Sequence, residues 1–405
     1  MKRSEQLTSV LKSLKHSMTS QTYQVIKMLF KKELNFKIDQ VPFRFKDLSA
    51  KKVVNWVLTE GSVVFKPSHP WGFPAIIQLE PASKCNLHCK ICPVSTGMNR
   101  SSGNMDLNLF KKIVDELEDY LLLILFWDWG EPFLNPNSYE MIHYAHERGI
   151  KVMTSTNGHL FASGHHARNV VLSGLDVLVF SLDGIHQETY AYYRNRGSLE
   201  TVLKGIRRVV NEKKLLKSKT PLLNLRFIVM KHNEQELPKL REFARPLGID
   251  ILTLRRFHGI PTSPQRVKNL AEIFRPIQEK YNIPNLSQKN RPVRIAGNPC
   301  KNLWNCPTIH WDGTVCSCYL DYNEENSLGS LRSQSFKEIW FGPSYKVLRR
   351  SFKKSWQELS LCGKCSYGFK GGDIGRESTL DYKSIFPEKI IHSEKNVSRE
   401  DEKHK

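Results

Sequence analysis

Nine cysteines are present in the chain of 405 residues, and three of them fall in one eight-residue stretch. That stretch reads Cys85-Asn86-Leu87-His88-Cys89-Lys90-Ile91-Cys92, with three and then two residues between the thiols. A metal-free fold has little use for three thiols on one tight loop. A [4Fe–4S] cube has four irons to ligate, so three local thiolates leave one iron open to hold something else. The other six thiols are Cys300, Cys306, Cys316, Cys318, Cys362 and Cys365. The last two form a C-x2-C pair, and pairs of this kind ligate either a cluster or a structural zinc.

The rest of the composition sets the context for these thiols. Hydrophobic content of 40% and charged content of 25% describe an ordinary soluble protein, long enough for one large domain and a smaller one. No apolar segment follows Lys2 and Arg3, so the reading is a chain without an export signal. The longest apolar run, Leu121 to Trp127, is too short to span a bilayer. Clustered cysteines without export point to metal ligation in a reducing cytoplasm, not to disulfides. The net charge of +21 concerns partners and not fold, and an acidic protein, nucleic acid or anionic lipid would complement it.

The elements that must position the cysteine loop are legible as an alternation. Strand-like runs cover 75–79, 122–127, 151–155, 177–182, 222–229 and 249–254. Amphipathic helical stretches cover 107–119, 138–147, 165–173, 199–212 and 234–247. Strand, helix, strand at this pitch means parallel strands with right-handed crossovers, an α/β fold whose chemistry gathers at the C-terminal strand ends. Residues 1–70 read as an N-terminal helical extension of unknown role, carrying an amphipathic helix near residues 7–18 and another over 24–32. The core then spans 71–258, followed by a linker with one helical segment over 259–294. A second domain covers 295–375 and a charged, apolar-poor tail 376–405.

The C-x3-C-x2-C loop resembles the signature of the radical S-adenosylmethionine (radical SAM) enzymes. The resemblance continues after the second strand in Asp128-Trp129-Gly130-Glu131-Pro132, where the family reads G-G-E. Here Trp129 replaces the first glycine, so only Gly130 and Glu131 carry over. Ser155-Thr156-Asn157-Gly158 and Ser181-Leu182-Asp183-Gly184 stand where the family contacts SAM after the third and fourth strands. The resemblance implies a partial (β/α)6 barrel of TIM type. It implies Cys85, Cys89 and Cys92 on a [4Fe–4S] cluster, with SAM chelated at the open iron and held by Gly130, Glu131, Asn157, Ser181 and Asp183. Asp183 is also the one candidate for a catalytic role. On the fifth strand, Asn224 and Arg226 share a face, and an inward arginine needs an anion, for which the SAM carboxylate is the natural choice.

Twelve residues separate Cys300 from Gly313 and four separate Gly313 from Cys318, around a turn at Trp311-Asp312-Gly313. This resembles the opening of the SPASM and twitch domains, with Cys362-Gly363-Lys364-Cys365 closing the set. The mapping implies a second, auxiliary [4Fe–4S] cluster on Cys300, Cys318, Cys362 and Cys365. Cys306 or Cys316 replacing Cys300 or Cys318, and zinc in place of iron, remain open alternatives. The resemblance implies reductive cleavage of SAM to a 5′-deoxyadenosyl radical that abstracts a substrate hydrogen. The favoured outcome is oxidation, cross-linking or another maturation of a peptide or small molecule, with a flavodoxin or ferredoxin as reductant. A redox-neutral radical reaction is the runner-up. A non-catalytic, metal-stabilised nucleic-acid-binding protein is the rival from another class. Between 331 and 371 a basic strip with Trp340, Tyr345 and Trp356 is a candidate docking surface for an acidic partner.

Overall fold

The computed structural model describes residues 30–257, 259–260, 262–282 and 300–365. The first amphipathic helix near residues 7–18, the C-terminal tail and residues 261 and 283–294 of the linker lie outside them.

Six strands run parallel: β3 (Ile76–Leu79), β4 (Leu123–Leu125), β5 (Lys151–Thr156), β6 (Val177–Ser181), β7 (Leu222–Val229) and β8 (Ile251–Arg256). Their ends differ from the sequence reading by at most two residues. They pair in chain order within a nine-stranded sheet, and β3 does not pair with β8, so the barrel is open. The crossover helices pack on one face. The helix Leu107–Leu117 shows why: Asp106 caps it by accepting from the backbone N–H groups of Asn108 and Leu109, and Leu109, Phe110, Ile113, Val114 and Leu117 are buried. Each such side chain contributes roughly 1.5–3 kcal/mol on leaving water.

Period-two alternation divides the strand residues between two cores. Ile77, Leu79, Ile124, Phe126, Val152, Leu178, Phe180, Leu223 and Leu225 face the helices. Leu123, Met153, Val177 and Val179, with Ile76, Leu125, Trp127, Leu222 and Ile251 at their margin, face the other way, into the barrel. That inner core is completed by the N-terminal extension, and here the sequence reading needs correction. The described part of the extension is not helical throughout. It opens with an antiparallel hairpin, β1 (Leu34–Ile38) and β2 (Val41–Phe45), and only then forms the helix Ala50–Phe65. Leu34, Val41, Phe43 and Phe45 are buried against the inner strand residues, so the hairpin fills the lower barrel. Its turn residues Asp39 and Gln40 have φ of 50° and 66°, the two-residue geometry that matches strand twist.

The C-terminal domain is joined through the sheet itself. β9 (Thr308–Ile309) pairs parallel with β3, and β10 (Thr314–Cys316) and β11 (Ser327–Ser330) add antiparallel strands outside it. The Trp311-Asp312-Gly313 turn expected from sequence links β9 to β10. Among the described residues no helix is long and apolar enough to cross a membrane.

Candidate functional site

The expected loops gather at the C-terminal ends of β3 to β7, and the cysteine loop is held there by backbone bonds. His88 N donates to Asn195 O (3.0 Å) and Lys90 N to Tyr193 O (3.1 Å). Leu87 and Ile91 anchor the loop as buried side chains, Ile91 in a pocket with Tyr193, Met230 and Phe274. Leu87 N–H donates to Cys85 Sγ (3.4 Å), and Asn157 Nδ2 approaches the same sulfur (3.7 Å) and donates to Asn86 Oδ1 (2.7 Å). Burial pushes the Cys85 thiol up to about 11, helped by the nearby Glu131 carboxylate. Burial also raises Cys89, against the lowering influence of Arg194, and raises Cys92 well above the ordinary thiol range. Three half-buried cysteines with N–H donors on one sulfur fit an iron–sulfur cluster, whose iron supplies the positive charge that thiolates need there.

Gly130 makes the next loop possible. Its φ of 147° suits glycine, and a Cβ at this position would lie 2.1 Å from Ala82 O. Glu131, only 2% exposed, does not stand open to a ligand. Its Oε1 accepts from Thr156 Oγ1 (2.8 Å) and Phe133 N (3.4 Å), and its Oε2 from Asn157 N (2.8 Å). Glu131 therefore braces the loop after β5 against the loop after β4. Burial pushes its carboxyl up to about 7 in spite of these donors.

Asp183, the candidate for a catalytic role, is tied into the structure by side-chain and backbone bonds. It is fully buried, Arg194 Nε and Nη2 lie 2.7 and 2.6 Å from its Oδ2, and its Oδ1 accepts from Ile228 N (2.9 Å). Arg194, which the sequence reading did not select, lies between the two carbonyls that hold the cysteine loop. Asp183 is thus bonded to Arg194 beside that loop. Ser181 sits on the inner face beside Arg226 in the strand register, with its hydroxyl 3.0 Å from that of Ser155.

Arg226 also differs from expectation. The anion it meets is Asp39, at the tip of the N-terminal hairpin, 2.5 Å from Arg226 Nη2. Arg255 pairs with the other oxygen of the same carboxylate. Burial works against the Asp39 charge, but the two guanidinium groups outweigh it and hold the carboxyl below its ordinary value. Among the described residues Arg226 Nε and Asn224 Oδ1 are buried without partners, polar atoms in the barrel interior that fit a polar ligand such as SAM.

In the second domain, burial raises Cys318 well above the ordinary thiol value, and the thiols that add to this are Cys300, Cys365 and Cys362. Cys318 also has Asn302 Nδ2 at 3.9 Å. Cys318 thus lies near the three thiols that the resemblance groups with it. Cys306 neighbours Cys300 and the Gln78 N–H on β3, whereas Cys316 is fully buried against His310. Among the described residues no group of three or more His, Cys, Asp or Glu side chains is arranged to hold a single metal ion. Four thiols suit either a cluster or a structural zinc.

Between the two thiol sets lies a buried polar seam that the sequence reading missed. Arg100 makes a two-pronged pair with Glu80 (2.9 and 2.6 Å) and reaches Glu324 (3.5 Å). His310 lies 2.9 Å from Glu324 and 3.3 Å from Asp128, which accepts from Gln78 Nε2 (3.0 Å). Burial opposes charge on His310, yet its acidic neighbours hold it well above the ordinary value, and burial pushes Asp128 up to about 6. Trp129, in place of the family's glycine, donates from Nε1 to Tyr319 O (2.8 Å), next to Cys318. The SAM-loop position and the second thiol set are thereby tied together.

Comparison with known proteins agrees with this geometry. The family model described as the radical SAM superfamily matches residues 79–244, and that described as an iron–sulfur cluster-binding domain matches 300–366. A tungsten-containing aldehyde ferredoxin oxidoreductase cofactor-modifying protein of Pyrococcus furiosus is 26% identical over 327 residues, 72% of this chain and 88% of that protein. An AdoMet-dependent heme synthase of Methanosarcina barkeri is 29% identical over 328 residues, 73% of this chain and 89% of that protein. The structure of Streptococcus suis SuiB bound to the precursor peptide SuiA shares the fold, with a TM-score of 0.52 at 13% identity over 73% of this chain and 71% of that one.

Proposed function

We propose that this chain, which belongs to the radical SAM superfamily and carries a C-terminal iron–sulfur cluster-binding domain, oxidises, cross-links or otherwise matures a peptide or small molecule by hydrogen abstraction. The observation that carries the reading is the pair of thiol sets flanking one continuous sheet, Cys85, Cys89 and Cys92 in the loop after β3 and Cys300, Cys318, Cys362 and Cys365 in the segments around β9 to β11. When bound, the first cluster and SAM supply a 5′-deoxyadenosyl radical, and the auxiliary cluster supplies an electron acceptor or a substrate anchor.

In this reading Cys85, Cys89 and Cys92 hold the SAM-binding cluster. The tight approach of Gly130 to Ala82 O brings the loop after β4 close to the cysteine loop, and its backbone carbonyls would hold the SAM ammonium. Asn157 orients Asn86 and the Cys85 sulfur, and Glu131 fixes Asn157 from behind. Ser181 lines the ribose side, and Arg226 offers its remaining N–H groups to the SAM carboxylate. The Trp129–Tyr319 bond keeps the two cluster sites in register. Relatives named as a heme synthase and as a bacteriocin subtilosin biosynthesis protein are in keeping with both substrate classes. A flavodoxin or ferredoxin in the cytoplasm is the proposed reductant.

The test is anaerobic incubation of the reconstituted, reduced enzyme with SAM, followed by chromatography for 5′-deoxyadenosine. Its formation by the wild type and its loss in Cys85→Ala supports the reading. Equal formation by both, or by neither, contradicts it.

A further inference from the structure

The hairpin tip in the barrel gives the N-terminal extension a role. Two arginines from neighbouring strands, Arg226 on β7 and Arg255 on β8, share the single carboxylate of Asp39. The trio carries one net positive charge in a protected interior, which leaves room for one more anion. Asp39 takes Nη2 of Arg226, while its buried Nε has no hydrogen-bond partner among the described residues. The tip is itself fixed: Thr253 Oγ1 donates to Asp39 O (2.8 Å), and Asn224 Nδ2 donates to Thr253 Oγ1 (2.8 Å). Below it, Val41 is fully buried, and Phe36 stacks on Phe45 and Trp56 with ring centroids 5.4 and 5.7 Å apart. The arginine is thus set from below by a rigid hairpin, not by its own strand alone. The Trp127 ring, 5.8 Å from the guanidinium carbon, borders it as well.

We propose that Asp39 is a positioning residue for SAM: the hairpin forms the barrel floor, and its tip carboxylate holds Arg226 so that the free edge of the guanidinium receives the SAM carboxylate. The proposal rests on the reading of Arg226 as a SAM ligand. A long, jointed arginine side chain loses freedom on binding an anion, and one that is already tethered loses less. The role is specific to the tethered charge, so it is separable from the apolar contribution of the hairpin to the core.

The experiment uses the full-length, reconstituted holoenzyme and titrates SAM against the EPR spectrum of the reduced cluster. Asp39→Asn keeps the shape of the tip and removes the charge. It is expected to raise the Kd for SAM about tenfold with iron content unchanged, and to raise KM for SAM in 5′-deoxyadenosine formation more than it lowers kcat. Arg226→Gln is expected to weaken SAM comparably, and the double variant no further, because the two act as one unit. Wild-type SAM affinity in Asp39→Asn, alongside weakened binding in Arg226→Gln, overturns the positioning role and leaves the arginine reading standing. Wild-type affinity in Arg226→Gln removes the arginine reading and this proposal with it. Should Asp39→Asn not accumulate as folded protein, Asp39→Glu keeps the charge and displaces the carboxylate by one methylene. A raised Kd in that variant supports the proposal, and an unchanged one overturns it.

Discussion

Replacing Asp183 by Asn separates a positioning carboxylate from a reacting one. The substitution keeps an acceptor for the Ile228 N–H but turns an amide toward Arg194, whose side chain is 11% exposed and loses its only carboxylate partner among the described residues. Breaking one side of a buried ion pair costs about 3–5 kcal/mol, because the remaining charge stays in a poorly solvating interior. For a domain of this size that corresponds to a fall in Tm of roughly 10 °C. The damage then spreads along named bonds. Arg194 sits between Tyr193 and Asn195, whose carbonyls hold Lys90 N and His88 N, so the cysteine loop loses its support as well. Thermal melting of the apo-protein and iron content after reconstitution are the assays. A lower Tm together with reduced iron retention is expected. Asp183→Asn that melts within about 1 °C of wild type and holds full iron while losing turnover would refute the positioning role and restore a catalytic one.

Two further outcomes follow from the same loops. Gly130→Ala places a methyl group where Ala82 O stands 2.1 Å away and puts alanine at a φ of 147°, a strain of about 1–3 kcal/mol. Displacing the loop by about 1 Å is expected to lower 5′-deoxyadenosine formation about 100-fold, and a rate within threefold of wild type argues against the cradle. Glu131 gives a pH dependence of defined sign. Its carboxyl rises from 4.5 unfolded to about 7 folded, so the folded apo-protein holds a proton there that the unfolded chain has lost. The associated stability is present below pH 4.5 and is lost as pH rises through 7, about 3 kcal/mol in all at about 1.4 kcal/mol per unit. Urea midpoints of the apo-protein are expected to show this slope in wild type and a flatter one in Glu131→Gln, and parallel slopes would contradict it.

What the sequence disclosed, and what it hid, has a physical pattern. The six parallel strands are apolar runs buried on both faces, and their crossovers carry strong amphipathic periodicity, so both were legible. The thiol sets were legible because cysteine spacing is a short-range signal. The hairpin over 34–45 was missed because its turn is Asp39-Gln40 without glycine, and because Pro42 sits in its second strand. Arg226 was placed on the correct face, but its partner lies 187 residues away, a separation that no local pattern reports. Arg100, Glu80 and His310 were missed because each gains its meaning from a partner outside its own segment, and Arg194 because its partner Asp183, though only 11 residues away, fits no periodic pattern. Asp183 and Glu131 stand where the family motif puts polar groups, yet hydrogen bonding decided whether those groups face a ligand or a loop.

The most direct measurement is iron and sulfide content with EPR after anaerobic reconstitution, on wild type and on the Cys85/Cys89/Cys92→Ala triple variant. About eight irons falling to about four, with SAM shifting the wild-type spectrum alone, is the expected result for one open and one auxiliary [4Fe–4S] cluster. Four irons in wild type with zinc beside them, or a SAM-induced shift that survives in the triple variant, would contradict it.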